Sequence, residues 1–103
     1  MTVTKDITSK ILTRFGRQGY TQVPGYNEFG FVSQSDTYVV ISRENGRDTK
    51  IPFVKLAEAI EAVRKDSKVY SEGPSRLRKH GLTHITSPLW ALLHLLTLEE
   101  LRA

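Results

Sequence analysis

Apolar residues recur at helical spacing in two stretches of the chain. Ile7, Ile11 and Phe15 are each four positions apart, which places their side chains on one face of an α-helix. Residues 54–66 repeat this pattern with Leu56, Ala59, Ile60 and Val63, and carry lysine, arginine and glutamate on the opposite face. The two patterns predict helices over residues 6–15 and 54–66.

Between these helices the pattern changes to short runs of aromatic and β-branched residues separated by polar turns. The runs 29–33, 37–43 and 47–53 predict the three strands of an antiparallel meander. Asn45-Gly46 predicts a two-residue hairpin loop, because both central residues of a type I′ turn adopt positive φ. Residues 20–26 contain Pro and Gly and predict a connector.

Two turns decide which side chains share a face of the predicted sheet. The two-residue loop places Val40 opposite Ile51 and Arg43 opposite Asp48. The Gln34-Ser35 turn places Phe31 opposite Tyr38 and Phe29 opposite Val40. One face of the sheet is then apolar and is expected to pack in the core, while the other is partly solvated. The predicted core face consists of Phe29, Phe31, Tyr38, Val40, Ile51 and Phe53, and the other face carries Val39, Ile41, Arg43, Asp48 and Lys50.

The last third of the chain predicts two to three further helices. Proline at the first position suits a short helix over residues 74–80. Ser87 is a typical N-cap before the nearly all-apolar run 89–96, and Thr97 and Glu100 have the spacing of a capping box. The predicted fold class is α+β: a three-stranded antiparallel meander flanked by an N-terminal helix and two to three C-terminal helices.

Composition limits the class of protein. The 103 residues suit a single domain over residues 1–103, and 39% hydrophobic with 25% charged residues is typical of a globular chain. The chain has no cysteine, which excludes disulfides, thiolate catalysis and cysteine-based zinc sites. Its start does not resemble a signal peptide, and no apolar run reaches the ~20 residues of a membrane span, so we expect a cytoplasmic protein.

Catalytic and metal-binding motifs are absent from the sequence. We find no nucleophile elbow, phosphate loop or dinucleotide fingerprint, and therefore predict a protein that is not an enzyme and has no cofactor. His80 and His84 are four positions apart, but Gly81 interrupts the helix between them, and His94 lies in a separate segment. We predict no metal site.

An excess of basic residues gives the leading functional hypothesis. The net charge is +4 and the pI is near 9.6, as is common in proteins that bind polyanions. We expect a small regulatory or accessory domain that binds nucleic acid, more specifically DNA. The predicted main contacts with nucleic acid are Arg76, Arg78 and Lys79 in the short helix. The predicted secondary contacts are Arg43, Arg47 and Lys50 in the hairpin.

The apolar C-terminal segment supports an alternative hypothesis, in which residues 87–101 form a protein-interaction or dimerisation helix. Its candidate interface residues are Trp90, Leu93 and Leu96. The same residues also fit a helix that seals the core. Binding to nucleic acid predicts basic side chains that converge on one surface, whereas an interaction module predicts a contiguous exposed apolar patch.

Overall fold

A computed structural model describes residues 3–44 and 46–103. The fold is α+β and contains a four-stranded antiparallel sheet with the strand order β1-β2-β3-β4. In chain order, the elements are α1 (Thr4–Gln18), β1 (Tyr20–Thr21), β2 (Phe29–Gln34), β3 (Tyr38–Arg43), β4 (Asp48–Pro52), α2 (Phe53–Lys65), α3 (Lys68–Ser71), a 3₁₀ helix (Pro74–His80), α4 (Thr86–Leu93) and α5 (Leu98–Arg102).

The sheet has one strand more than the sequence predicted. Tyr20 and Thr21, assigned to a connector, pair antiparallel with β2, opposite Gly30 and Phe29 respectively. The Thr21 side chain is buried, and its hydroxyl donates a hydrogen bond of 2.7 Å to the carbonyl of Ala91 in α4. A two-residue strand is too short to show an alternating pattern, so its pairing depends on tertiary contacts.

The predicted pairing of β3 with β4 is wrong by one residue. Val39, rather than Val40, lies opposite Ile51. The Arg43 N–H donates to the Arg47 carbonyl, so the hairpin loop has three residues instead of two. Gly46 has a φ of 82° and donates its N–H to the Arg43 carbonyl, as expected in a three-residue loop that ends in a left-handed glycine. Asn45 lies outside the described residues.

This change of register turns β3 over. Val39 and Ile41 are fully buried, whereas Val40 and Tyr38 lie on the opposite, partly solvated face. An irregularity in β2 between residues 31 and 33 allows its first half to keep the predicted orientation. The predicted core positions of Phe29 and Ile51 are confirmed, and those of Tyr38 and Val40 are wrong. Phe31 is partly buried against the core and lies opposite Ile41 instead of Tyr38, and Phe29 lies opposite Arg43 instead of Val40. Phe53 begins α2 instead of ending a strand.

The helices supply the rest of the core. The helices predicted over residues 6–15 and 54–66 are confirmed as α1 and α2. Helix α4 begins at Thr86 with Ile85 in the N-cap position, so the predicted Ser87 cap is wrong. Buried side chains from these three helices and the sheet form one hydrophobic cluster. Within the described residues, no helix is both long and apolar enough to cross a membrane.

The predicted capping box at α5 is confirmed and belongs to a larger cluster. The Glu100 carboxylate accepts from the Thr97 N–H at 3.0 Å, and the Thr97 hydroxyl accepts from the Glu100 N–H at 3.2 Å. The Arg14 guanidinium donates to both oxygens of the same carboxylate at 3.0 and 2.7 Å. The Lys10 Nζ lies 2.6 Å from Oε2 of Glu100. These contacts, led by Arg14, hold the pKa of Glu100 well below its usual range and tie α1 to α5.

A partly buried histidine joins α3 to the end of α4. The His94 ring stacks on Tyr70 with 3.9 Å between the ring centroids, and its Nε2 lies 2.9 Å from the Tyr70 carbonyl oxygen. Burial lowers the pKa of His94 below its ordinary value, and this outweighs the opposing effect of the hydrogen bond.

Mild acid is therefore expected to destabilise the fold through His94. Its folded pKa lies below the value of 6.5 for the free side chain, so the unfolded chain binds the proton first. The free energy of unfolding should fall as the pH drops below about 6.5. Urea unfolding between about pH 5 and 7 should show this decrease in the wild type and a smaller one in His94→Gln. If the free energy of unfolding depended equally on pH in the two proteins, His94 would not be the cause of the acid sensitivity.

Candidate functional site

A positively charged cleft of about 530 Å³ lies where the end of β3 meets the segment between the 3₁₀ helix and α4. We call it the cationic cleft. It is lined by Arg43, Arg78, Thr83, His84, Thr86, Ser87 and Pro88. None of these lining residues is acidic, and three carry a hydroxyl group. The cleft thus combines two guanidinium groups with hydroxyl donors, a composition suited to an anion.

Arg43 reaches the cleft because of the observed register of β3. As the last residue of the strand, it lies on the same face as the buried Ile41, so its side chain extends toward the helical layer. Its Nε donates to the Thr49 hydroxyl at 2.9 Å, and its Nη2 donates to the His84 carbonyl at 3.3 Å. These two contacts hold the guanidinium at the edge of the cleft and leave part of its donor set for a ligand.

Arg78 reaches the cleft from the 3₁₀ helix. The preceding residue, Leu77, is fully buried and anchors this helix to the core. The helix ends at His80, and the following Gly81 has a φ of 77° and donates its N–H to the Arg78 carbonyl at 3.1 Å. The Arg78 side chain is exposed, and no acidic residue in the described part of the chain forms an ion pair with it. Its charge is therefore available to a ligand.

The linker before α4 forms the third side of the cleft. His84 has a φ of 70° and is the one non-glycine residue with positive φ in ranges 3–44 and 46–103. This uncommon backbone conformation holds the carbonyl that accepts from Arg43. Thr86 and Ser87 follow at the first turn of α4, where unsatisfied backbone N–H groups add partial positive charge.

The structure separates the three residues predicted as the main contacts with nucleic acid. Arg78 lines the cleft, whereas Arg76 pairs with Asp66 at 3.2 Å and with Glu72 at 3.0 Å. Arg76 therefore connects the end of α2 to the 3₁₀ helix. Lys79 is exposed but does not line the cleft.

The predicted hairpin residues are also separated. Arg43 lines the cleft, and Arg47 is exposed directly across the hairpin loop from it. Lys50 lies on the opposite face of the sheet, where its Nζ is 4.9 Å from the centroid of the Tyr38 ring. Sequence reasoning missed the hydroxyl residues of the cleft, although Thr83, Thr86 and Ser87 lie close together in the sequence.

The candidate interface residues of the alternative hypothesis lie in the core. Trp90, Leu93 and Leu96 are 4%, 0% and 2% exposed. The Trp90 ring is further fixed by its Nε1, which donates to the Val69 carbonyl at 2.9 Å. These three side chains do not form an exposed apolar patch, so a partner could reach them only if α4 left the core.

A second groove, of about 590 Å³, lies at the other end of the sheet between α1 and α2. Its lining is mainly apolar and includes Leu12, Phe53 and Val54, with Lys5 at its edge. It lacks the paired arginines of the cationic cleft.

Among the described residues, no group of three or more His, Asp or Glu side chains is placed to hold a metal ion. No protein-family model, curated protein or solved structure matches the chain.

Proposed function

We propose that this protein binds nucleic acid through the phosphate backbone, with the cationic cleft as the main contact. The observation that supports this most strongly is the convergence of Arg43 and Arg78. They come from different layers of the fold and line one cleft that has no acidic residue. A guanidinium group presents a planar set of donors that matches the oxygens of a phosphate, often through two hydrogen bonds.

The remaining lining supports the same ligand. The hydroxyls of Thr83, Thr86 and Ser87 are among the groups that commonly contact phosphate and sugar oxygens in nucleic-acid complexes. The partial positive charge at the start of α4 favours the same anion. A strand that crosses the cleft would thus meet charged and neutral donors together.

An exposed basic residue beside the cleft extends its positive potential, since Lys79 follows Arg78 along the chain. Together with the cleft arginines and the net charge of +4, this lysine would attract a polyanion over distances comparable to the Debye length. Affinity should therefore fall as the salt concentration rises.

Replacing Arg78 with alanine is expected to weaken nucleic-acid binding several-fold and to reduce its salt dependence. Each lost phosphate contact should lower the slope of log affinity against log salt by about 0.7–0.9. The measurement is fluorescence anisotropy with labelled single- and double-stranded DNA and RNA at low and near-physiological salt. Arg43→Ala should act in the same direction.

The matched control is Lys5→Ala, which removes one positive charge at the opposite end of the sheet. This lysine lies in the first turn of α1, where a cation is unfavourable, so its loss should not destabilise the helix. The control should bind like the wild type. Absence of binding at low salt to all four probes, or equal losses in the Lys5 and Arg78 variants, would contradict the proposal.

A further inference from the structure

A smaller cavity opens beside the cationic cleft, and Ser87 lines both. We call it the aromatic hollow. Its volume is about 150 Å³, and its lining includes Tyr26, Asn27, Phe29, Pro74, Ser87 and Trp90. An anion site and a small aromatic cavity therefore lie side by side.

Tyr26 gives the hollow a firm but accessible aromatic surface. Its side chain is 45% exposed, and its ring packs against Trp90 with 4.8 Å between the centroids. The turn that carries it is closed by the Tyr26 N–H, which donates to the Val23 carbonyl at 2.9 Å. The Gln22 side chain donates to the Tyr26 carbonyl at 3.1 Å. The ring is thus held against Trp90 and remains partly exposed.

The size and polarity of the hollow suit a single flat ring. Whole small-molecule sites occupy about 300–1,000 Å³, so a cavity of 150 Å³ is a subsite for part of a ligand. Aromatic side chains stack with every nucleobase. The exposed amide of Asn27 adds a donor and an acceptor for the polar edge of a base. In a duplex the faces of each base are already stacked on their neighbours, so only an unpaired base can enter.

We infer that the aromatic hollow takes one unstacked base of a single-stranded nucleic acid whose phosphate lies between Arg43 and Arg78. This inference rests on the proposed phosphate binding and makes the ligand more specific. It selects single strands over duplexes, and it assigns Tyr26 a role in binding that the basic residues cannot supply.

The test compares a normal single-stranded oligonucleotide with an abasic one of the same length and the same number of phosphates. Stacking on one aromatic residue should make the normal strand bind about 5- to 150-fold more tightly. Trp90 is the only tryptophan and packs against Tyr26, so its fluorescence should change with the normal strand and not with the abasic one.

Two substitutions separate the ring from its hydroxyl. Tyr26→Leu should lose the preference for the normal strand, whereas Tyr26→Phe should keep it because the ring remains. Thermal unfolding of both variants checks that they are folded. The comparison of the two strands on the wild-type protein does not depend on either variant.

The outcomes separate the inference from the proposed function. Equal, salt-sensitive binding of normal and abasic strands that still weakens in Arg78→Ala would overturn the base subsite and leave phosphate binding in place. Tighter binding of duplex than of single strand would also overturn it. Absence of salt-sensitive binding to either strand would overturn the proposed function, and the inference with it.

Discussion

Ile41→Ala is expected to lower the free energy of unfolding by about 2–5 kcal/mol, the usual cost of removing a large buried aliphatic side chain and leaving a cavity. Ile41 is fully buried in the middle of β3 and belongs to the hydrophobic cluster of sheet and helices. Chemical denaturation with a two-state fit gives this value directly.

The neighbouring valines provide a matched control for the orientation of β3. Val39 is fully buried, whereas Val40 lies on the solvated face of the sheet. Val39→Ala should therefore cost clearly more stability than Val40→Ala, although both remove the same atoms. A larger loss of stability for Val40→Ala would favour the register with a two-residue hairpin loop. In that register the Arg43 side chain would point away from the cationic cleft.

Glu100→Ala is expected to cost about 2–3 kcal/mol, since it removes a helix cap and charge-assisted hydrogen bonds together. Its carboxylate accepts from the Thr97 N–H and from both terminal nitrogens of Arg14. Arg14 would keep only its contact with the Leu95 carbonyl at 3.0 Å. The free energy of unfolding, measured by chemical denaturation, should fall accordingly.

Glu99→Ala is the control for this change. Glu99 lies in the same first turn of α5 and is exposed, so its loss should remove only a helix-dipole contribution of about 0.3–1 kcal/mol. A double-mutant cycle with Arg14→Ala should show coupling to Glu100 and none to Glu99. Equal costs for the two glutamates would contradict the cluster seen in the structure.

Periodicity was sufficient to predict the two main helices and three of the strands, but not the register of the sheet. The run Val39-Val40-Ile41 is apolar at every position, so alternation could not show which residues face the core. Asn45-Gly46 fits a two-residue loop, and a glycine at Gly46 equally fits the last position of a three-residue loop. Long-range packing on the helices decides between them.

The candidate site was predictable only in part, because a sequence shows charges and not their partners in space. Arg43 and Arg78 are both among the predicted contacts with nucleic acid. That their side chains line the same cleft depends on the register of β3 and on the path from the 3₁₀ helix to α4. The pairing of Arg76 with Glu72 crosses the break between α3 and the 3₁₀ helix, so helical spacing did not indicate it. Tyr26 lies in a turn without periodicity, so its place beside the cleft required the tertiary structure.

Binding of nucleic acid between Arg43 and Arg78 can be tested by an NMR titration of ¹⁵N-labelled protein with a single-stranded oligonucleotide. We expect the largest shifts at the Nε–H signals of Arg43 and Arg78 and at the backbone amides of residues 83–87, with little change in the groove between α1 and α2. Shifts centred on that groove or on the face that carries Lys50, or no shifts at low salt, would contradict binding of nucleic acid in the cationic cleft.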